Sequence, residues 1–227
     1  MTLTHRSLLS FIAAIIFPVL LAACASPGGA PVAGVPPVEP GAVLPLSCRS
    51  DCVTPFGALL GVSPDHVSAY SNCSAKCFVF APNQEHGTFT GIKWQCVEFA
   101  RRWLLNNKGV VYGDVDTASD LWGKITAVTR VADGTQIPLQ TYLNGSADAP
   151  QRGDLLIYAK EFLNTGHVAV ITEVDEAAGI IRVAEQNFLN KPWPANYARE
   201  ITWVHKDGKY WLLDPYLLGW KRVAAHS

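Results

Sequence analysis

Apolar residues recur at helical spacing in one segment near the middle of the chain. They form two stripes at intervals of three or four residues, made of Val97, Ala100 and Leu104 and of Phe99 and Trp103. This spacing predicts an amphipathic helix that packs on two sides. We expect the helix to begin near Trp94 or Gln95 and to end at the Asn-Asn-Lys-Gly run of residues 106–109.

Two apolar runs later in the chain predict a pair of strands. One covers residues 167–174 and the other residues 180–187, with a tight Glu-Ala-Ala-Gly turn at residues 176–179 between them. Strands joined by so short a connection pair antiparallel. Because side chains alternate along a strand, one face of the second strand is expected to carry Val183, Glu185 and Asn187. A helix packed on an antiparallel sheet is an α+β fold.

The first part of the chain has the pattern of an export signal. Arg6 precedes an apolar stretch over residues 8–21, and Leu-Ala-Ala then leads directly to Cys24. This order is typical of a bacterial lipoprotein signal, which is cut before a cysteine that then carries the lipids. We expect lipidation of Cys24; an ordinary signal peptide cut elsewhere and an uncleaved anchor are the alternatives. The apolar stretch is short for a spanning helix, which needs about 20 residues.

The chain therefore divides into three predicted parts. Residues 1–23 form the signal peptide, residues 24–46 a tether rich in Pro, Gly and Ala, and residues 47–223 the folded domain. No aspartate follows Cys24. The expected location is therefore the cell envelope, at an outer membrane and facing the periplasm, with the lipid anchor as the contact to the membrane.

Composition adds few constraints. Of 227 residues, 49% are hydrophobic and 16% charged, and the formal net charge is -1. These values fit one packed domain. Without a basic run we expect no nucleic-acid partner, and we expect the protein to act as a monomer.

Four cysteines form two pairs of the Cys-x-x-x-Cys type: Cys48, Cys52, Cys73 and Cys77. In an exported protein these predict two disulfides, with a bound zinc ion or free thiols as the alternatives. Three connectivities are open. If both pairs lie on helical turns, crossed bridges such as Cys48–Cys77 with Cys52–Cys73 would join two antiparallel segments.

The remaining cysteine, Cys96, is the candidate nucleophile. A thiol in the first turn of a helix lies at the positive end of the helix dipole, which favours the thiolate. His167, at the start of the first predicted strand, would accept the thiol proton and pass it to a leaving amine. Glu185 is predicted to orient the imidazole ring, with Asn187 as the alternative third member.

The residue before the nucleophile has two interpretations. Gln95 can donate to the oxyanion of the reaction together with the backbone N–H of Cys96. Equally, it can be an ordinary polar residue at a helix start.

The sequence resembles CHAP-domain cysteine amidases over nearly all of the folded part. The nucleophile motif is matched by Lys-Trp-Gln-Cys-Val-Glu-Phe-Ala-Arg-Arg at residues 93–102. Further matches lie at residues 55–61, 137–140, 144–146, 165–169, 184–187 and 218–220. Within this group the chain most resembles the amidase domain of bifunctional glutathionylspermidine synthetase/amidases.

The resemblance implies a papain-like CHAP fold in which the helix that carries the nucleophile packs on an antiparallel sheet. In that family the residues at the positions of Cys96, His167 and Glu185 form the catalytic triad. The implied reaction is hydrolysis of a small peptide-like amide through a thioester, with no metal and no cofactor. A peptidoglycan peptide is the alternative substrate, and a non-catalytic envelope scaffold is the alternative function. No ATP-dependent synthetase is expected on this chain.

Two further residues are weaker candidates for substrate binding. Arg101 lies about one and a half turns after Cys96 and can meet a substrate carboxylate. Alternatively, it is a surface charge paired with Glu98. Trp94 can line the cleft or pack in the core.

Overall fold

The computed structural model describes residues 43–225. In this range it contains a 3-10 helix at Leu46–Cys48 and two α-helices, α1 (Cys96–Lys108) and α2 (Asp120–Lys124). Two hairpins precede α1: β1 (Leu59–Val62) pairs with β2 (Ser68–Tyr70), and β3 (Pro82–Glu85) pairs with β4 (Thr88–Ile92). The predicted signal peptide, the lipidation of Cys24 and most of the tether lie outside the described residues.

The remaining strands form one nine-stranded sheet. They are β5 (Val110–Val111), β6 (Ala127–Arg130), β7 (Gln136–Leu143), β8 (Leu155–Tyr158), β9 (Val168–Asp175), β10 (Ile180–Ala184), β11 (Arg199–Lys206), β12 (Lys209–Leu212) and β13 (Leu217–Val223). Their order across the sheet is β12-β11-β10-β9-β8-β13-β7-β6-β5, and all neighbours are antiparallel. The predicted α+β fold is confirmed.

Alternation along the central strands builds a core on each face of the sheet. Leu155 and Ile157 of β8 belong to the cluster that contains the apolar residues of α1, whereas Leu156 and Tyr158 belong to the cluster on the opposite face. Each strand of this kind is buried on both sides, which explains its continuous apolar sequence. Helix α1 is therefore fixed against the middle of the sheet. Within residues 43–225 no helix is long and apolar enough to cross a membrane.

Helix α1 begins one to two residues later than predicted. Gln95 has an extended backbone (φ -79°, ψ 155°) and is the N-cap, so Cys96 is the first helical residue. The predicted end is correct: Gly109 follows Lys108 in the left-handed conformation (φ 64°), and its N–H donates to the carbonyls of Leu104 and Leu105. The predicted two-sided packing understates the burial, because Glu98, Arg101 and Arg102 are buried as well.

Strands β9 and β10 pair antiparallel as predicted, but both are shorter at the end that carries the site. His167 immediately precedes β9, and Glu185 immediately follows β10. Asn187 has a left-handed φ of 58°. The predicted alternation of side chains therefore stops before it reaches Asn187, which does not share a strand face with Val183.

Two disulfides join Cys48 to Cys77 and Cys52 to Cys73. This is the crossed pairing, and it rules out a zinc site or free thiols at these four positions. The crossed pairing was expected if both cysteine pairs lay on helical turns. Cys48 does lie in a helical turn, but Cys73 has a left-handed φ of 66°, so the expected local structure is only partly correct. The bridges bind the first described segment to the loop that precedes β3.

Candidate active site

Cys96 is the one cysteine among residues 43–225 that is not in a disulfide. It is the first residue of α1 and is largely buried, with 8% of its surface exposed. The hydroxyl of Tyr112 donates to the carbonyl of Val97 at 2.6 Å and supports this first turn. Cys96 thus lies at the positive end of a helix whose start is anchored from outside.

His167 and Glu185 form a buried pair beside this thiol. The imidazole Nε2 lies 2.9 Å from Glu185 Oε2, and both residues are almost fully buried. The backbone holds the ring in place, since the N–H of Tyr158 donates to the carbonyl of His167. Nε2 is occupied by the carboxylate, and Nδ1 has no hydrogen-bond partner. Nδ1 is therefore the ring nitrogen left for the thiol.

The surroundings of His167 favour its protonated form. Burial lowers the pKa of the imidazole, but its interactions with Cys96 and Glu185 outweigh burial and raise the pKa to about 9. Burial likewise raises the pKa of Glu185, whereas the charge of Arg199 and the interaction with His167 bring it down to about 2. When the Cys96 thiol is ionised, these interactions favour an imidazolium that faces a carboxylate.

Arg199, the first residue of β11, is the second partner of Glu185. Its Nε donates to Glu185 Oε1 at 2.7 Å and its Nη2 to Oε2 at 3.3 Å. The same guanidinium donates to Asp214 at 2.5 Å and to the Tyr158 hydroxyl at 2.7 Å. Tyr158 in turn donates to Asp214 at 2.6 Å. Both oxygens of the Glu185 carboxylate thus have hydrogen-bond partners.

The sequence did not point to Arg199, Asp214 or Tyr158. Strand pairing is the signal that could have indicated Arg199. Val183 lies two residues before Glu185 in β10, and Arg199 is its partner in β11. Predicting it requires β11 to be placed next to β10, and the loop of residues 185–198 between them hides that neighbourhood.

Gln95, the residue before Cys96, is in contact with Asn187. The amide nitrogen of Asn187 donates to Gln95 Oε1 at 2.7 Å, and Asn72 donates to Asn187 Oδ1 at 2.9 Å. Gln95 Nε2 has only long contacts, 3.4 Å to Asn72 Oδ1 and 3.5 Å to the carbonyl of Cys77. Asn187 therefore orients Gln95, while the position of the third triad member beside His167 is taken by Glu185.

The structure overturns the surface-charge interpretation of Arg101 and the cleft interpretation of Trp94. Arg101 does not pair with Glu98; it donates to the Gly113 carbonyl at 2.8 Å, pairs with Asp114 at 3.0 Å and lines the cavity. Trp94 is 1% exposed, lies against Tyr70 with ring centroids 4.4 Å apart and is not among the residues that line the cavity. Trp94 therefore packs in the core, as one of its two interpretations predicted.

Glu98 is fully buried and joins α1 to its surroundings. It accepts hydrogen bonds from Arg102 at 2.7 Å, Asn83 at 2.9 Å, Thr90 at 3.0 Å and Gln186 at 3.2 Å. Burial raises the pKa of Glu98, but Arg102 and these donors bring it below its ordinary value. The hairpin β3–β4, the helix of the thiol and the loop after Glu185 therefore share one buried carboxylate.

These residues surround a cavity of about 610 Å³. Cys96, His167, Gln95 and Asn187 line its floor. One wall is the segment 75–78, which the Cys48–Cys77 bridge fixes, and the other consists of residues 114–118 and 163–166. A cavity of this size, with convergent polar groups and titratable residues of shifted pKa, is typical of an active site.

Comparison with known protein families agrees with this geometry. The CHAP domain family matches residues 87–187, a span that includes Cys96, His167 and Glu185. Residues 87–187 therefore match the CHAP domain, and the resemblance found in the sequence is confirmed.

Curated relatives point to the same class. Trypanothione synthetase of Crithidia fasciculata is 37% identical over 172 residues, which cover 75% of this chain and 26% of that protein. Bifunctional glutathionylspermidine synthetase/amidase of Escherichia coli (strain K12) is 39% identical over 182 residues, 73% of this chain and 29% of that protein. The chain thus spans less than a third of these relatives. Together the domain match and the relatives support a cysteine amidase or hydrolase.

Proposed function

We propose that this protein hydrolyses a peptide-like amide of glutathionylspermidine type through a thioester acyl-enzyme, with Cys96, His167 and Glu185 as its catalytic triad. The observation that carries the proposal is the buried His167–Glu185 pair, which leaves Nδ1 of the imidazole free in the cavity that Cys96 lines. The proposal is further supported by the name of a relative, a bifunctional glutathionylspermidine synthetase/amidase.

The proposed reaction has two halves. Cys96 transfers its proton to His167, and the thiolate attacks the amide carbonyl to form a tetrahedral adduct. The imidazolium then donates its proton to the departing amine, the C–N bond breaks and a thioester remains on Cys96. Water, deprotonated by His167, attacks the thioester, and the carboxylic acid product leaves as the thiol is restored. Glu185 holds the ring and stabilises the imidazolium throughout.

The negative charge of the tetrahedral adduct needs donors. The backbone N–H of Cys96, at the first position of α1, has no acceptor within the helix and is one donor. The second is Gln95 Nε2, whose long contacts at 3.4 and 3.5 Å leave it able to shift toward an oxyanion. Asn187 fixes the other end of the Gln95 amide and so sets its direction.

A peptidoglycan peptide is the second candidate substrate, and one observation favours it. The two disulfides are typical of proteins from an oxidising compartment, such as a bacterial periplasm, where cell-wall peptides are present. The same observation supports the export signal and the lipid anchor at Cys24, with the domain held at an outer membrane and facing the periplasm. That location remains a proposal that rests on the sequence of the first 24 residues.

The substrate is tested by incubating the folded domain separately with glutathionylspermidine and with purified peptidoglycan, with Cys96→Ala as the control. We expect the intact protein to release spermidine from the first substrate and the variant to release none. Release of new amines only from peptidoglycan would favour the second candidate. Release from neither substrate would leave a non-catalytic envelope scaffold as the better account. The anchor is tested by mass spectrometry of the membrane fraction, where a lipidated N-terminal Cys24 is expected.

A further inference from the structure

Three side-chain amides, those of Asn72, Asn187 and Gln95, form a hydrogen-bonded series that ends next to Cys96. Asn72 Nδ2 donates to Asn187 Oδ1 at 2.9 Å, and Asn187 Nδ2 donates to Gln95 Oε1 at 2.7 Å. Gln95 Nε2 has only long contacts, 3.4 Å to Asn72 Oδ1 and 3.5 Å to the Cys77 carbonyl. Gln95 Nε2 is therefore the end of the series that keeps its hydrogens for another acceptor.

The direction of this series is set at Asn72. Its side chain is fully buried, and its nitrogen also donates to the carbonyls of Cys77 at 2.8 Å and Ser74 at 3.1 Å. Its oxygen accepts from the backbone N–H of Trp94 at 3.4 Å. A backbone carbonyl can only accept and a backbone N–H can only donate. Turning the Asn72 amide round would leave these backbone groups without partners, so they fix its direction.

The loop that holds Asn72 is closed by both disulfides. Cys73, the residue after it, is bridged to Cys52. Cys77, whose carbonyl accepts from Asn72, is bridged to Cys48. The donor and the acceptor of this hydrogen bond are thus both attached to bridged residues, which keeps them in place before any substrate binds.

The direction passes from Asn72 to Gln95. Because Asn72 presents its nitrogen, Asn187 must present its oxygen to Asn72 and its nitrogen to Gln95. Gln95 must then accept with Oε1, which leaves Nε2 as the free donor. We infer that Asn72 is a positioning residue, which keeps the nitrogen of the Gln95 amide, and not its oxygen, available to the oxyanion of the tetrahedral adduct. The inference rests on the proposed function in taking Gln95 as an oxyanion donor, and it adds the residue that determines this role.

Replacing Asn72 by alanine removes the fixed end of the series. Asn187 is then free to turn, and Gln95 presents its oxygen to the oxyanion in a share of the molecules. In Asn72→Ala we expect kcat for glutathionylspermidine to fall about tenfold, which is part of the roughly 10²- to 10³-fold loss expected when Gln95→Ala removes the donor altogether. KM should stay nearly constant, because the oxyanion forms only after the substrate has bound.

Asn187→Asp makes the same test at a half-buried position. A carboxylate can still accept from Asn72 but cannot donate to Gln95, so the Gln95 amide turns its nitrogen to the carboxylate and its oxygen to the oxyanion. The kcat of this variant should approach that of Gln95→Ala. It answers the question even if Asn72→Ala does not fold.

A double-mutant cycle separates positioning from support of the fold. If Asn72 acts through Gln95, adding Asn72→Ala to Gln95→Ala should lower kcat little further. Alkylation of Cys96 by iodoacetamide forms no oxyanion, so its rate should be the same in Asn72→Ala and in the intact protein. Asn144→Ala is the matched control and should leave kcat unchanged. Asn144 also binds a backbone N–H and a backbone carbonyl, those of Leu212 at 2.9 and 3.0 Å, but it does not line the cavity.

An aldehyde gives a measurement that needs no hydrolysis. The sulfur of Cys96 adds reversibly to the carbonyl carbon of N-acetylglycinal, and the carbonyl oxygen takes up the thiol proton in the position of the oxyanion. The dissociation constant follows from the protection of Cys96 against iodoacetamide. We expect this constant to rise about 2- to 10-fold in Asn72→Ala and in Gln95→Ala, as the loss of one hydrogen bond predicts, and no further in the double variant.

The inference fails if Asn72→Ala lowers kcat as much with Gln95→Ala as without it, or if it leaves both kcat and aldehyde binding unchanged. It fails as well if Asn72→Ala slows alkylation of Cys96 as much as hydrolysis, or if the intact protein neither hydrolyses the substrate nor binds the aldehyde. If the intact protein hydrolyses no glutathionylspermidine but aldehyde binding depends on Asn72 through Gln95, the proposed function fails and the positioning role stands.

Discussion

The environment of one partly buried guanidinium, that of Arg199, decides the protonation state of Glu185 in the candidate site. Arg199 shares its donors among Glu185, Asp214 and Tyr158, and its charge is the main reason that the pKa of Glu185 stays near 2 in spite of burial. The three predicted members of the triad lie in short recognisable motifs. Arg199 and Asp214 lie in strands and turns without a motif, so nothing in their local sequence indicates them.

His167 is expected to activate Cys96. An ordinary thiol is only a few per cent thiolate at pH 7, whereas a thiol that has given its proton to an imidazole is fully reactive. His167→Ala should therefore slow the alkylation of Cys96 by roughly 10- to 100-fold at neutral pH. Stopped-flow kinetics measures this, with the exposed His205→Ala as control. Equal rates in His167→Ala and the intact protein would remove His167 from its role.

Arg199→Met should destabilise the fold, because it leaves Glu185 and Asp214 without their cationic partner. Breaking a buried ion pair costs about 3–5 kcal/mol. Arg199→Lys, which keeps the charge but not the planar set of donors, should recover part of this loss. Urea unfolding at pH 7 gives the free energies. If the Arg199→Met variant were as stable as the intact protein, the ion pairs of Arg199 would make no net contribution to the free energy of unfolding.

Acid should weaken the fold through Glu185. Its folded pKa of about 2 lies below its ordinary value of 4.5, so the stabilisation is complete above pH 4.5 and is lost as the pH falls toward 2. The difference corresponds to about 3 kcal/mol. Glu185→Gln should be less stable than the intact protein at pH 7 and lose less stability between pH 4.5 and 2. Glu176→Gln, at an exposed turn position, should keep the full acid dependence, and a Glu185→Gln protein with that same dependence would contradict the assignment.

At the scale of elements, the sequence predicts the centres of helices and strands better than their ends. Periodicity located α1, β9 and β10, because a buried face requires it. The ends depend on backbone conformation: an extended Gln95 delays α1, and the left-handed Asn187 stops the alternation after β10. The side chains of the proposed triad lie at those ends. Their mutual contacts therefore depend on the part of each element that periodicity predicts least well.

A substitution at Gly166 tests how much the backbone at the start of β9 matters. It precedes His167 with a φ of 70°, and an added Cβ would lie 2.6 Å from the Tyr158 carbonyl and 2.8 Å from Ser119 Cβ. Gly134 has a similar φ of 75° and nothing within 4 Å. Gly166→Ala should therefore lose about 1–3 kcal/mol more than Gly134→Ala, the usual range for overpacking. It should also slow alkylation of Cys96. Similar losses in both variants would mean that only the backbone conformation matters there.

At the scale of the whole molecule, the two disulfides join residues 48–52 to residues 73–77, the segment that leads into the wall of the cavity. They close loops with sequence separations of 29 and 21 residues. Replacing Cys52 and Cys73 together by serine should lower the free energy of unfolding by about 2–4 kcal/mol. Urea unfolding of the oxidised proteins checks this, and peptide mapping without reductant should recover both predicted pairs. Four free thiols in that map would contradict the bridges.

The last described strand, β13, lies in the middle of the sheet, between β8 and β7. A ribosome releases residues in order, so β7 and β8 are made before β13, the strand that pairs with both, and β13 is complete only at residue 223. The sheet cannot close during synthesis of the earlier part, and Asp214, which steadies Arg199, also arrives late. The centre of the sheet and the contact between Arg199 and Asp214 therefore form only after residue 223 has been made, so the earlier strands leave the ribosome without this support.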